Sequence, residues 1–261
     1  MKLLRAAKIA TFAVTWVSGA IFGAYIVAFY GGTLGSIETW NATLPKLYER
    51  HTPAATLAIG VHFATGGILL LLGPLQLVAR VRNAAPAVHR WIGRLYVAAA
   101  ILVGLGGLGF IAAKGTIGGR PMDIGFGLYG VLVVLAAVQT FRFARIRDLE
   151  PHRAWAIRLY ALAIGSWLYR MDYGFWALFA KLAGHTPTFD GPFDVVMAFF
   201  FYLPNLVVAE LVIRARTTPW RRGIQITAAL ALLLATLFVA AATVVFTKLA
   251  WWPGIRFGLA G

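Results

Sequence analysis

Two stretches of the chain carry the same side chains in the same order. Residues 76–96 read QLVARVRNAAPAVHRWIGRLY and residues 139–160 read QTFRFARIRDLEPHRAWAIRLY. Counted from each glutamine, an arginine falls six residues on (Arg82, Arg145) and a His-Arg pair thirteen and fourteen on (His89-Arg90, His152-Arg153). An Arg-x-Tyr follows in both, Arg94 to Tyr96 and Arg158 to Tyr160, one residue later in the second copy. Each His-Arg follows a proline, Pro86 or Pro151, a residue suited to the first position of a helix because it lacks the N–H that would be unpaired there. Such residues support three kinds of chemistry. Neutral imidazoles at His89 and His152 can ligate the iron of one b-type haem, with Arg90, Arg94, Arg153 or Arg158 pairing with its propionates. The same groups, with helix N-terminal amides, can hold a phosphate or carboxylate. In the plainest case the arginines bind anionic lipid headgroups and the histidines cap helix ends at the interface. The matched offsets argue for the two specific sites over the plain one and leave the choice between them open.

His62 is the third candidate. It sits about two turns into an apolar run, with Gly66, Gly73 and Gln76 close to the same face, and an ionisable residue at such a depth is a functional hypothesis by default. Aligning the repeat sets Gly125 opposite it, so His62 has no symmetric partner and lies far from the other two histidines. Above His89, the residues Gly93, Tyr96, Ala100 and Gly107 follow at helical spacing; Ala156, Ala163 and Arg170 share the stripe of His152. Small residues let helices approach closely or leave room for a flat cofactor.

These residues need a scaffold, and composition says which kind. The 261 residues are 60% hydrophobic and 13% charged, with mean hydropathy +0.77, too little charge for a soluble surface of this length. Apolar runs of crossing length, roughly 20 residues each, fall at 9–30, 54–79, 86–113, 123–143, 151–170, 193–213 and 223–247. The chain is therefore expected to be an all-α polytopic integral membrane protein with seven transmembrane helices. The first run is too long for a signal-peptide core and reads as a retained helix. Residues 173–179 prolong the fifth helix or form an interfacial one. The loop at 31–53 is polar, and Trp16, Trp40 and Tyr48 read as interfacial aromatics. The formal net charge of +15 lies between the apolar runs, which points to anionic headgroups rather than nucleic acid. With no cysteine, disulfides, thiolate metal sites and thiol redox chemistry are excluded.

Loop arginines and lysines set the orientation. With the N-terminus inside, the inner segments hold Lys2, Arg5, Lys8, Arg80, Arg82, Arg90, Arg94, Arg142, Arg145, Arg147, Arg153, Arg158, Arg214, Arg216, Arg221 and Arg222, sixteen of the 24 basic residues. The topology is N-in and C-out, which places the His89 and His152 sites on the cytoplasmic side. The second and third helices then form one hairpin and the fourth and fifth another, related by a pseudo-two-fold axis along the membrane normal. The whole chain, 1–261, reads as one transmembrane domain, with a duplicated four-helix core at 54–172 and flanking helices in 1–53 and 193–261.

Other polar residues have plainer expectations. His51 and His185 lie in loops, His185 near Asp190 and Asp194, where a metal is possible but solvated histidines are the usual case. Arg170 and Asp172 read as an ion pair, Glu210 as the i,i+4 partner of Arg214, and Pro204 as a kink in the sixth helix. The glycine-rich LVGLGGLGF lacks the strand and acidic residue of a dinucleotide fingerprint. No Ser-His-Asp, H-E-x-x-H or P-loop pattern appears, and no catalytic residue is nominated.

Several motifs resemble a known family. HxxxGG and GPLQL (His62 to Leu77), PxxHRxxGRxY (Pro86 to Tyr96), Gly125-Phe126 and HRxWxIRxYAL (His152 to Leu162) are similar to the domain-of-unknown-function 2306 family of bacterial predicted membrane proteins. The likeness covers about residues 57–170, with the first, sixth and seventh helices outside it. It implies a multi-pass protein of the bacterial inner membrane with no assigned activity. The four-helix core also resembles, in architecture, the ascorbate-reducible transmembrane di-haem cytochromes; here one inner histidine pair is present and the outer pair is missing. That likeness permits one haem b or none. The leading expectation from the residues is a b-type haem electron-transfer protein with its site near the cytoplasmic face, exchanging electrons with a partner such as quinone. The competing expectation is a non-enzymatic binding or transport protein for an anionic lipid or small acid, or an accessory subunit of a larger membrane complex.

Overall fold

The computed structural model describes residues 2–44, 46–214 and 221–260, and these contain helices and no strand. Among the described residues six helical segments are long and apolar enough to cross a membrane: Lys2–Gly32, Pro53–Leu77, Pro86–Lys114, Gly119–Arg145, Pro192–Arg214 and Arg222–Ala260. Five of the helices involved are α1 (Lys2–Gly32), α2 (Pro53–Leu77), α4 (Pro86–Lys114), α5 (Gly119–Arg145) and α10 (Arg222–Phe246), with the short α3 (Ala79–Ala84) between α2 and α4.

The fifth expected span is not among the six. It is divided into α6 (Leu149–Ala163) and α7 (Gly165–Ala180), each too short to cross alone. The division has a physical cause. The Tyr129 hydroxyl of α5 donates to the Leu162 carbonyl at 2.8 Å, the acceptor that Ser166 N–H would use in an unbroken helix, and a side chain inserted into the ladder is a recognised origin of a kink. Hydrogen bonding resumes at once, Leu168 N–H to Ile164 O at 3.0 Å. Residues 173–179 prolong α7 rather than forming a separate helix.

The sixth span breaks as its proline requires. α8 (Pro192–Phe200) ends and α9 (Leu203–Arg214) begins just ahead of Pro204, whose ring is incompatible with the carbonyl four residues earlier. The last span runs past its expected end through a π-helical turn, Thr247–Trp251, into α11 (Trp252–Ala260). Arg216, counted with the basic loops, lies outside the described residues.

Around the core, α2 packs on α4, α4 on α5, α5 on α6 and α6 on α2, closing a ring of four helices. α1 lies against α2 and pairs with α10 and α11; α9 packs on α6 and α8 on α5. Lipid gives helices little hydrophobic reason to associate, so close contact relies on small residues. Gly104 of α4 faces the Gly130 carbonyl of α5, and Gly23 of α1 faces that of Gly67 on α2; a methyl would stand 3.1 and 3.4 Å from those oxygens. Trp40, expected at the interface, is instead 2% exposed. It lies in a short 3-10 turn, Ile37–Ala42, with Nε1 donating to the Thr33 hydroxyl at 3.0 Å and its ring edge-on to Tyr30 and Phe63. That loop is packed onto the core rather than free at the membrane surface.

Candidate functional site

The ring has two ends. The basic end carries α3 and the turn between α5 and α6; the opposite, far end carries the loops 33–52, 115–118 and 181–191.

The basic end carries the repeated residues. His89 on α4 and His152 on α6 occupy helices diagonal to one another in the ring. His152 Nδ1 lies 2.9 Å from the Thr140 carbonyl, so that nitrogen carries the proton and the ring is fixed. His89 Nδ1, Gln76 Nε2, Gln139 Oε1 and the Tyr96 hydroxyl are buried with no hydrogen-bond partner among the described residues. One level deeper, the two tyrosines of the repeat meet on α2. A methyl on Gly73 would stand 3.1 Å from Tyr96 and 3.2 Å from Tyr160. The space along the bundle axis there is filled by two phenol rings.

The arginines nominated with them are largely committed. Arg158 holds Glu210 of α9 through two bonds, Nε to Oε1 at 2.5 Å and Nη2 to Oε2 at 3.1 Å, and stacks 4.7 Å over Trp155. Glu210 thus has a partner beyond the i,i+4 neighbour Arg214, whose charge also reaches it. Arg153 pairs with Glu150 at 2.8 Å. Arg94 lies 4.8 Å over Trp91, and Arg90 is exposed.

The third candidate, His62, lies in a different place. A cavity of about 630 Å³ opens in the far half of the molecule, walled by α2, α4, α5, α7, α1 and the π-helical turn. His62 Nδ1 is 2.8 Å from the Val103 carbonyl of α4, and its ring lies against Gly107, where a methyl would be 3.3 Å from Nδ1. Across the same cavity stands Arg170 of α7. Its Nη1 donates to the Ser166 carbonyl at 2.8 Å and its guanidinium lies 5.1 Å over the Phe22 ring. Among the described residues no carboxylate pairs with it, and the expected pairing with Asp172 does not form. Two residues on a helix point about 200° apart, so Asp172 is carried to another face. Hydroxyls and aromatic rings make up much of the remaining wall, among them Tyr25, Tyr129, Tyr169, Ser166 and Phe126. At the mouth, Lys114 of α4 pairs with Glu49 of the loop at 3.3 Å.

His185 also departs from expectation. It is not a solvated loop residue: Nδ1 donates to Asp194 Oδ1 at 2.7 Å, and Asp194, 1% exposed, also accepts from Tyr173 OH at 2.6 Å and from Thr186 N and Gly191 N at 3.0 Å each. Four donors satisfy one buried carboxylate and tie the 181–191 loop to α7 and α8. No group of three His, Asp or Glu side chains able to hold a metal occurs among the described residues. Asp190 beside it is exposed, its carboxyl held below the usual range by the Thr186 and Thr188 hydroxyls.

The family comparison bears on this geometry. The family described as predicted membrane protein, DUF2306, matches residues 59–213. The chain belongs to the DUF2306 family. The match runs further than the motifs implied, because it takes in the sixth span as well as the ring. In the structure α9 is tied to α6 by the Arg158–Glu210 pair, and α8 packs on α5. Both His62 and Arg170 fall within the DUF2306 match, as do His89 and His152. No curated protein and no solved structure matches the chain.

Proposed function

We propose that this protein is a membrane-embedded binding or transport protein whose far-half cavity takes an amphipathic anion, a small acid or a lipid-like acid. Arg170 carries the proposal. A guanidinium within an apolar bundle is costly unless it is compensated, and here it faces a cavity of ligand size with no carboxylate paired to it among the described residues. Aromatic walls suit an apolar body, and cavities of this kind typically combine apolar lining with a few convergent polar groups. The bias of loop arginines and lysines supports a bacterial inner-membrane orientation with the basic end cytoplasmic, where exposed arginines such as Arg90 meet anionic headgroups. The cavity then opens on the outer side. The closed ring, with Tyr96 and Tyr160 meeting on Gly73, supports two hairpins related by a two-fold axis. The test is thermal melting of the full chain in neutral detergent with sodium decanoate. The midpoint rises with ligand in the wild type, and Arg170→Gln removes the rise; an equal rise in that variant ends the reading.

A second reading keeps a b-type haem between His89 and His152, with quinone as its redox partner. What favours it is the fixed ring of His152: a ligating imidazole commonly donates its other N–H to a carbonyl, as Nδ1 does here to Thr140. Arg90 and Arg94 are then the propionate partners, since Arg153 and Arg158 already hold carboxylates. A Soret band in protein from haem-replete cells, lost in His89→Ala and His152→Ala, would support it; a colourless preparation removes it.

A further inference from the structure

Resting on the anion reading of the cavity, we infer that its ligand is an apolar monocarboxylate that also carries a hydroxyl or N–H group, which His62 accepts while Arg170 holds the acid. Two independent features lead there. The first is charge. The charged groups lining the cavity are Lys46, Glu49, Lys114 and Arg170. Lys114 is neutralised by Glu49, and Lys46 is exposed at the mouth. Among the described residues one interior cation therefore remains. In a medium of low dielectric a single guanidinium is matched by a single negative charge, and a dianionic phosphate would bring a charge with no partner.

The second feature is a tautomer. A carbonyl oxygen can only accept, so the 2.8 Å contact with Val103 puts the proton of His62 on Nδ1. In the neutral ring Nε2 is then an acceptor, and among the described residues it has no hydrogen-bond partner. The flat seat against Gly107 holds the Nδ1 edge to α4 and leaves His62 on the cavity wall. A plain fatty acid satisfies Arg170 and leaves Nε2 unmatched. A hydroxy acid, a phenolic acid or an N-acyl amino acid satisfies both. A site built to accept from a ligand O–H discriminates against the analogue that lacks it, because the polar group is otherwise left unpaired.

The experiment compares decanoate with its 2-hydroxy and 3-hydroxy derivatives, N-octanoylglycine and decyl phosphate. Binding to the full chain in neutral detergent is measured by calorimetry, for the wild type and for His62→Phe, His62→Gln and Arg170→Gln. The expected result is that at least one donor-bearing acid binds about tenfold tighter than decanoate. That ratio falls to about one in His62→Phe and is partly retained in His62→Gln, whose amide oxygen still accepts. Equal binding of decanoate and every donor-bearing acid, or a ratio that survives His62→Phe, overturns the inference and leaves the anion reading standing. Tighter binding of decyl phosphate overturns the monoanion assignment. If no carboxylate binds, or Arg170→Gln binds them all as the wild type does, the cavity reading itself falls and takes this inference with it.

Discussion

The two ends of the four-helix ring handle arginine in opposite ways. At the basic end Arg158 spans two helices to a carboxylate and Arg153 is paired within its own turn, so their charge is used up inside the protein. In the far half Arg170 touches a backbone carbonyl and an aromatic face, and its charge is directed at a cavity. The histidines divide in the same way. His152 is locked on α5 beside a core filled by tyrosine rings, whereas His62 is locked on α4 and lines open space. Residue type alone does not make a site; what counts is whether packing and pairing leave the group anything to bind.

Several substitutions sharpen that contrast. Gly73→Leu should have the largest effect, because Tyr96 and Tyr160 already stand where its side chain would go. Overpacking of this kind costs about 3 kcal/mol, and thermal melting should show a clear loss of stability without ligand. Arg170→Met should act in the other direction. Replacing an uncompensated interior charge by an apolar chain of similar length should raise the stability of the ligand-free protein by about 1–2 kcal/mol while abolishing anion binding. A fall in ligand-free stability would mean that Arg170 is structural and would erase the distinction between the two ends.

Arg158→Gln should lower stability by about 1 kcal/mol and leave anion binding as it was, since the pair is partly exposed and therefore screened. A double-mutant cycle with Glu210→Gln measures the coupling directly. Tyr129→Phe removes the hydroxyl that opens the ladder at Leu162. A cost of up to about 1 kcal/mol is expected, together with slower hydrogen exchange at Ser166, whose N–H regains the Leu162 carbonyl. Glu49→Gln should lower stability by about 1 kcal/mol, because Glu49 is 44% exposed but the Lys114 side chain it leaves without a partner is only 8% exposed. It should also alter the salt dependence of ligand association at the mouth, and an unchanged salt dependence would remove that pair from the route into the cavity.

Much of the basic end was legible in the sequence. The recurrence of His-Arg and Arg-x-Tyr is a matter of spacing along a helix, a local property; that α4 and α6 stand diagonally and that Tyr96 and Tyr160 both meet Gly73 is seen only in the fold. The pairing of Arg158 with Glu210 was not legible, since the two are 52 residues apart and meet only when α9 docks on α6. The neighbouring Asp172 suggests an ion pair for Arg170, but helix geometry separates side chains two apart. A signal was present all the same: it is an arginine within the fifth apolar run at the end away from the basic loops, and such residues merit a functional reading first. The split of the fifth span is not legible in the sequence, because its cause, the Tyr129 hydroxyl, comes from another helix.

By itself, the order of side chains determined that this chain is helical, that it is built for a membrane and which residues recur. Apolar run length, loop charge and residue spacing are properties of the chain read along its own axis. Tertiary structure alone decided which arginine is spent on a carboxylate and which faces a cavity, and which edge of His62 remains to accept a hydrogen bond. Those outcomes depend on what stands across from each group, and in a bundle of helices the opposite wall is supplied by residues far away in sequence.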